Sequence, residues 1–265
     1  MAILGDTLAK IAAEKAGIIK HGTALVLESQ EKEAMDVLKQ AAERADIKTT
    51  KVVNWDEIKI LPQKDGKQCF SYAGYDAVTM KMLGVHQYEN AVAAMLAAEL
   101  FFEKYFAGKK NVPELKALQH AIREGIDRTQ WMGRMELVSN DPFFLMDGAH
   151  NSNGVEALKK SLETMYPDEK FHFIMGVMAD KDYGEMIREL LPLALDFKTV
   201  TVESERALQG EALADCIREK GIPAEAYQNL ADVLPDFSKS SAEKTVAFGS
   251  LYFIGEIEAF LQGKQ

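Results

Sequence analysis

The sequence predicts an α/β protein built on a mostly parallel sheet, and three observations carry that expectation. From Met135 onward, strand-like and helix-like segments alternate, as in repeated βαβ units whose helices cover the sheet. Hydrophobic residues make up 47% of the chain against 27% charged, an ordinary balance with enough apolar material for a sizeable core. The 265 residues amount to about 1.8 typical domain lengths, so two domains are expected, with the periodicity changing near residue 135.

Taken in order, the chain opens with a helix from Thr7 to Ala16, stopped by Gly17, then a short strand over Thr23–Glu28 and a charged amphipathic helix over Glu31–Arg44. Residues 50–83 read as β-rich, with alternation in Gln68-Cys69-Phe70-Ser71-Tyr72 and a turn at Lys64-Asp65-Gly66. Asn90–Phe106, rich in Ala, Leu and Met, is a buried helix, and Val112–Glu124 follows with a Pro at its entrance. Gln130-Trp131-Met132-Gly133-Arg134 lies between two patterns of different type and reads as a linker. Beyond it come strands Glu136–Ser139, Phe143–Asp147, Phe171–Val177, Phe197–Val202, Ala224–Tyr227 and Thr245–Phe248. Helices are expected over Gly154–Met165, Tyr183–Leu195, Glu211–Lys220, Leu230–Phe237 and Tyr252–Leu261. In such a sheet a ligand site lies at the carboxyl ends of the strands.

Charge and composition exclude several classes. With 31 Lys+Arg against 41 Asp+Glu, the net charge is −10, which is no electrostatic footprint for nucleic acid. No stretch approaches the roughly 18 apolar residues of a membrane span, and the N-terminus lacks a signal peptide's order of basic then apolar residues, so a cytoplasmic protein is expected. Cys69 and Cys216 are too few and too isolated for a disulfide framework or a zinc site.

Several residues stand out as candidates for chemistry. On the first helix, with Leu8 at zero and about 100° per residue, Ile11 falls near 300°, Ala12 near 40° and Lys15 near 340°. Lys15 thus lies within the apolar stripe. A lysine there loses hydration, and more of it becomes the neutral amine that can react with carbon dioxide to form an anionic carbamate. The alternative is a snorkelling lysine whose head reaches water. The run Met146-Asp147-Gly148-Ala149-His150-Asn151-Ser152-Asn153-Gly154 leaves a strand and enters a helix. Its small residues let ligand atoms approach, and the helix N-terminus offers N–H groups to an anion. Asp147 can orient a ligand hydroxyl and His150 can contact a phosphate or carboxylate; otherwise Asp147 tethers a turn and Ser152 caps the helix. Thr245–Phe248, Gly249-Ser250 and Leu251 repeat the strand–turn–helix arrangement, placing two helix N-termini on one sheet edge, with Ser250 a ligand contact or an N-cap. Arg134 is placed to reach a phosphate between the domains. Asn90 could read a base edge or cap its helix. Asp180-Lys181-Asp182-Tyr183 reads as a solvated turn with Asp182 as cap. No segment fits the phosphate-binding G-x-x-x-x-G-K-[ST] loop: Gly66-Lys67 and Gly108-Lys109 both lack its other positions.

Six motifs in order carry a family resemblance. Leu4-Gly5-Asp6-Thr7-Leu8, Ile11-Ala12 and Glu14-Lys15-Ala16-Gly17-Ile18-Ile19-Lys20 resemble the signature of the folylpolyglutamate and dihydrofolate synthases, the folate branch of the Mur ligase superfamily. The series continues through His86-Gln87 and Asn90-Ala91, then Trp131-Met132-Gly133-Arg134-Met135-Glu136 and Asp147-Gly148-Ala149-His150-Asn151. It closes with Asp180-Lys181-Asp182-Tyr183 and Phe248-Gly249-Ser250-Leu251-Tyr252. The resemblance implies a Rossmann-like C-terminal α/β domain over residues 135–265. Residues 1–134 would be the C-terminal part of a P-loop-type ATPase domain. It implies an ATP- and Mg²⁺-dependent ligase that adds L-glutamate to the γ-carboxylate of folate through an acyl phosphate. A dihydrofolate synthase acting on dihydropteroate, or a bifunctional enzyme, is the near alternative; a ligand-binding protein without catalysis is the distant one. A monomer is expected, with neither nucleic acid nor membrane as partner.

By the same resemblance, Lys15 would be carbamylated and organise the metal, and Asn90 would lie close to the adenine. Arg134 would contact the ATP phosphates, Asp147 would be an ATP-side residue, and His150 and Ser250 would lie near the transferred group and the incoming glutamate. Met132 and Glu205 stand where the family commonly has Pro. The family's P-loop and two further metal ligands have no counterpart in these 265 residues, so the resemblance implies an N-terminally incomplete chain that is inactive alone.

Overall fold

The computed structural model describes residues 7–22 and 24–263; Leu4-Gly5-Asp6 of the first motif and Thr23 of the first expected strand lie outside the described residues. Two compact units emerge. The first takes the described residues up to Lys81 together with Gln87–Thr129, and the second takes Met82–His86 with the described chain from Gln130 onward.

In the first unit, α1 (Leu8–Ala16) opens on Thr7, whose hydroxyl accepts from the Lys10 N–H at 3.3 Å. β1 (Leu25–Leu27) and β2 (Thr50–Val52) form a parallel pair, joined through α2 (Lys32–Arg44). β3 (Lys59–Lys64), β4 (Lys67–Tyr72) and β5 (Tyr75–Met80) form an antiparallel meander. The β3–β4 turn is Asp65-Gly66 with φ of 52° and 74°, the pair of positive angles that a two-residue hairpin needs to match strand twist. α3 (His86–Phe106) and α4 (Leu115–Arg128) follow, and Val92, Met95 and Leu96 of α3 pack with Ile122 of α4 against Phe70, Val78 and Met80 of the strands. Asp127 on α4 ties this layer together: it accepts from Lys67 Nζ at 2.7 and 2.8 Å and from Thr79 Oγ1 at 2.6 Å.

The second unit is a six-stranded sheet. β6 (Glu136–Asn140) runs antiparallel to β7 (Phe143–Met146), and α5 (Ser152–Met165) leads to β8 (Phe171–Met175). α6 (Tyr183–Leu190) leads to β9 (Ala194–Val200), and α7 (Gly210–Arg218) to β10 (Ala224–Tyr227). α8 (Leu230–Val233) then leads back to β11 (Lys244–Phe248), followed by α9 (Leu251–Gln262). The spatial order is β10-β9-β8-β11-β7-β6, all parallel except the edge strand β6.

Strand residues alternate between two apolar layers, as the two-residue period of a strand requires. Phe143, Leu145, Phe173, Met175 and Phe248 pack with α5, α6 and α7; Phe144, Met146, Ile174 and Ala247 pack with Phe253, Ile254 and Ile257 of α9. Both layers are closed to water, which is why strands such as β7 are apolar throughout.

Two expected helices are shorter than the periodicity suggests. The run Tyr183–Leu195 stops as α-helix at Leu190, because Pro192 sits in a 3₁₀ turn over Leu191–Leu193 and β9 claims the chain from Ala194. The run Leu230–Phe237 ends at Val233: Pro235 disfavours helical geometry at the preceding residue, and Leu234 is extended at ψ 148°. α3 begins at His86, so Asn90 lies inside the helix and is not its cap. No helix among the described residues is long and apolar enough to cross a membrane.

Candidate active site

β11 is inserted between β7 and β8, and this insertion makes the site. β7 and β11 are parallel neighbours, yet the chain leaving β7 enters α5 on one face while the chain leaving β11 enters α9 on the other. Diverging connections from adjacent strands open a crevice at their carboxyl ends, where open α/β sheets bind ligands. Asp147 follows β7, and Gly249-Ser250 follows β11.

Main-chain bonds knit the crevice. The Asp147 N–H donates to Ala247 O at 2.9 Å, Gly148 N–H to Gly133 O at 2.7 Å, and Gly249 N–H to Ala149 O at 3.0 Å. Only glycine fits at Gly249, whose φ is 121° and whose added Cβ would lie 2.6 Å from Gly176 O. Gly148 is likewise hemmed in by a Leu251 side-chain carbon, by Arg134 and by Gly133 O.

Asp147 is buried, 6% exposed. Its Oδ1 accepts from the Ala149 N–H and its Oδ2 from the Met135 N–H, both at 2.8 Å. Burial pushes its carboxyl above the ordinary range, opposed by those two donors and by the charges of Arg134 and His150. The Arg134 guanidinium, half-buried beside Gly148, has no hydrogen bond or ion pair among the described residues. His150 Nδ1 lies 2.8 Å from Gly148 O. A carbonyl only accepts, so Nδ1 carries the proton, and Nε2 is the ring atom left to face a ligand, as an acceptor whenever it is unprotonated.

The helix starts are capped, though not wholly as expected. Asn151, not Ser152, caps α5, with Oδ1 accepting from the Gly154 N–H at 2.8 Å. Buried Ser250 caps α9, its hydroxyl accepting from the Tyr252 N–H at 3.1 Å. Asp182 caps α6, and Asp180 pairs with Arg206 at 2.9 Å in an exposed turn. Arg134, Asp147, His150 and Ser250 thus share one unit, with the loops that carry them bonded to one another.

Lys15 and Asn90 belong to the first unit. Lys15 lines a groove of about 700 Å³ with Leu8, Ile11 and Ala12, as its place in the stripe requires. Its side chain is nonetheless exposed, so the expected loss of hydration is absent: the groove is open, and the lysine head stays in water. Asn90 is exposed and donates to Gln87 Oε1 at 3.0 Å.

Sequence reasoning named His86 only as part of a motif and gave it no role. The Met82–His86 segment packs with the second unit, where the Val85 N–H donates to Ser161 Oγ at 3.0 Å and the His86 ring packs against Gly84. Burial and the nearby Arg134 charge push the His86 ring below its usual range. The apolar residues Leu83 and Val85 ahead of a helix start were the available signal.

Comparison with known proteins supplies the remaining findings. Residues 133–248 match the Mur ligase family, glutamate ligase domain. The chain is 31% identical over 274 residues to a dihydrofolate synthase/folylpolyglutamate synthase of Bacillus subtilis (strain 168), covering 99% of this chain and 60% of that protein. A folylpolyglutamate synthase of Lacticaseibacillus casei is 26% identical, with 98% and 59% covered. Among solved structures, folylpolyglutamate synthase from Thermotoga maritima superposes with a TM-score of 0.74 at 26% identity, covering 99% of this chain and 60% of that one. The Mycobacterium tuberculosis enzyme complexed with ADP superposes with a TM-score of 0.77 at 25% identity, covering 97% and 60%. The chain thus spans about 60% of the length of these relatives.

Proposed function

Because residues 133–248 form a Mur ligase glutamate ligase domain, in a chain homologous along almost its whole length to folylpolyglutamate and dihydrofolate synthases, we propose that the protein serves an ATP-dependent ligation of L-glutamate to the γ-carboxylate of folate. In this reading residues 1–134 correspond to the later part of the central ATPase domain and residues 135–265 to the C-terminal domain.

A carboxylate does not react with an amine at neutral pH, and phosphorylation makes it an acyl donor. A γ-carboxylate oxygen attacks the γ-phosphorus of ATP, the bond to the β-phosphate oxygen breaks, and ADP leaves. The glutamate amine then attacks the acyl carbon, the C–O bond breaks, and phosphate departs as the amide forms. The observation that carries the reading is the Arg134 guanidinium: half-buried, without ion pair or hydrogen bond among the described residues, and set against Gly148, where only a bare backbone fits. A fixed cation there neutralises phosphate charge as it builds up. His150, with Nε2 free to accept, takes the proton that the attacking amine gives up. Ser250 holds the first turn of α9, whose N–H groups face negative charge. Asn90 is assigned to the adenine, Asp147 to the ATP side and Lys15, as a carbamate, to the metal, on the strength of the motif match.

Mg²⁺ accompanies ATP in this class of chemistry and would neutralise phosphate charge. Among the described residues no group of three His, Cys, Asp or Glu side chains could hold a cation, so they do not make a Mg²⁺ site by themselves, and no step is assigned to it.

ADP release, measured in the complete translation product containing this sequence with ATP, L-glutamate and a reduced folate, tests the reading. Turnover that needs all three substrates and is lost in Arg134→Ala is expected; absence of folate- and glutamate-dependent ADP release would overturn it. The paired name of the Bacillus subtilis relative favours one variant, with dihydropteroate as acceptor, and substituting dihydropteroate in the same assay decides it.

A further inference from the structure

Asp147 makes an arrangement that contact with a nucleotide does not require. Both of its carboxylate oxygens are taken by main-chain N–H groups, one on its own loop (Ala149) and one twelve residues earlier (Met135). Met135 is held at φ 46°, in the left-handed region that residues with side chains seldom adopt, and its side chain is 1% exposed. Gly133 is also left-handed, at φ 63°. Arg134 therefore stands on a kink between two left-handed residues. The kink is pinned at three points: Gly133 N–H to Glu136 Oε2 at 2.8 Å, Gly148 N–H to Gly133 O at 2.7 Å, and Met135 N–H to Asp147. Of the three, only the last holds the residue whose conformation is unfavourable by itself.

We propose that Asp147 is a positioning residue for Arg134: its carboxylate clamps Met135 in the left-handed conformation and thereby sets the Arg134 guanidinium over Gly148. The proposal rests on the ligase reading only for what Arg134 meets there, a nucleotide phosphate. Acceptor chemistry makes it testable. Both partners of Asp147 are donors, so the position needs two acceptors; an asparagine of the same shape offers one oxygen and an NH₂ that opposes the second N–H. A side chain that only accepts from a ligand hydroxyl would keep its function as asparagine, whereas a clamp loses one jaw.

The test uses the full chain without nucleotide, comparing wild type with Asp147→Asn and Asp147→Ala by NMR. Three signals are read: amide exchange at Met135, the ¹H–¹⁵N NOE of the Arg134 Nε–Hε pair (which reports order rather than charge), and amide exchange at Val246 in the middle of β11 as reference. The expected result in Asp147→Asn is Met135 exchange faster by about tenfold or more, the size of a lost hydrogen bond to a charged group. The Arg134 NOE falls to that of exposed Arg188, and Val246 is unchanged. Unchanged Met135 and Arg134 signals would overturn the proposal. So would equal acceleration at Val246, which would make Asp147 a general support of the domain. If Asp147→Ala fails to fold, the isosteric variant decides; if that variant also unfolds, the local clamp is refuted. Because no substrate enters the experiment, failure here leaves the ligase reading standing, and a failed ADP-release assay leaves the clamp standing.

Discussion

Gly249→Ala probes the crevice at its tightest point. At φ 121° the backbone lies where L side chains are rarely found, which alone costs about 1–3 kcal/mol. The new Cβ would also sit 2.6 Å from Gly176 O and 3.2 Å from Gly176 C, both main-chain atoms. Gly176 cannot retreat freely: its N–H donates to Phe248 O at 3.3 Å, and its α-carbon faces the Phe253 ring, which a Cβ would approach to 2.8 Å. Forcing a methyl into such packing costs about 1–3 kcal/mol more. The expected loss is therefore about 2–6 kcal/mol, a large part of the stability of an ordinary domain. Urea unfolding followed by circular dichroism measures it, with two controls in the same unit. Gly221→Ala, at φ 84° with nothing within 4 Å, carries only the backbone penalty of about 1 kcal/mol. Gly255→Ala, inside α9 with open space around it, stabilises by about 0.5–1 kcal/mol. If Gly249→Ala cost no more than Gly221→Ala, the close approach of the β8 and β11 connections, and with it the crevice, would be wrong.

Other consequences follow from single contacts. Ser250→Ala removes the cap of α9 and lowers stability by about 1 kcal/mol in the same urea assay. Asp127→Ala costs about 1–3 kcal/mol at pH 7, since Lys67 and Thr79 lose a charged partner. Hydrogen bonds from those two residues hold the Asp127 carboxyl below its usual 3.8. Its contribution is therefore present above pH 3.8 and disappears as pH falls through the lowered folded value, and the gap between wild type and variant closes there. Glu258→Gln has the opposite sign: burial and the neighbouring Glu136 raise the Glu258 carboxyl above its usual 4.5. Wild type keeps that contribution below pH 4.5 and loses it as pH rises through the raised folded value, so the variant gains on wild type by urea midpoint as pH climbs above 4.5. A gap that does not widen as pH rises above 4.5 would show that Glu258 is not held in a desolvated place beside Glu136.

Much of the fold was legible because its signals are local. Thr7 before an apolar stripe, Asp65-Gly66 between alternating runs, and Asp182 ahead of α6 announce elements through bonds made within a few residues. The candidate site was legible in part for the same reason, since Asp147–Gly154 and Thr245–Ser250 each show a strand ending in small residues before a helix. Failures arose where a distant partner decides. Ala194-Leu195 has helical spacing, but after the 3₁₀ turn at Pro192 sheet pairing with β8 takes it for β9. Lys15 lies on the apolar stripe, but whether a stripe is covered depends on what packs over it, and here the groove is open.

The alternation of strands and helices, the mostly parallel sheet and the pair of small-residue turns were written in the chain, because periodicity and capping act over neighbouring residues. Long-range packing placed β11 between β7 and β8 and so made neighbours of turns about a hundred residues apart. It also decided that His86 packs with the second unit and that both oxygens of Asp147 are given to the backbone. Strand order is set by how helices of a given length cover a sheet, and the partners of a buried carboxylate by which N–H groups that order brings within 3 Å, neither of which is written in any one segment of the chain.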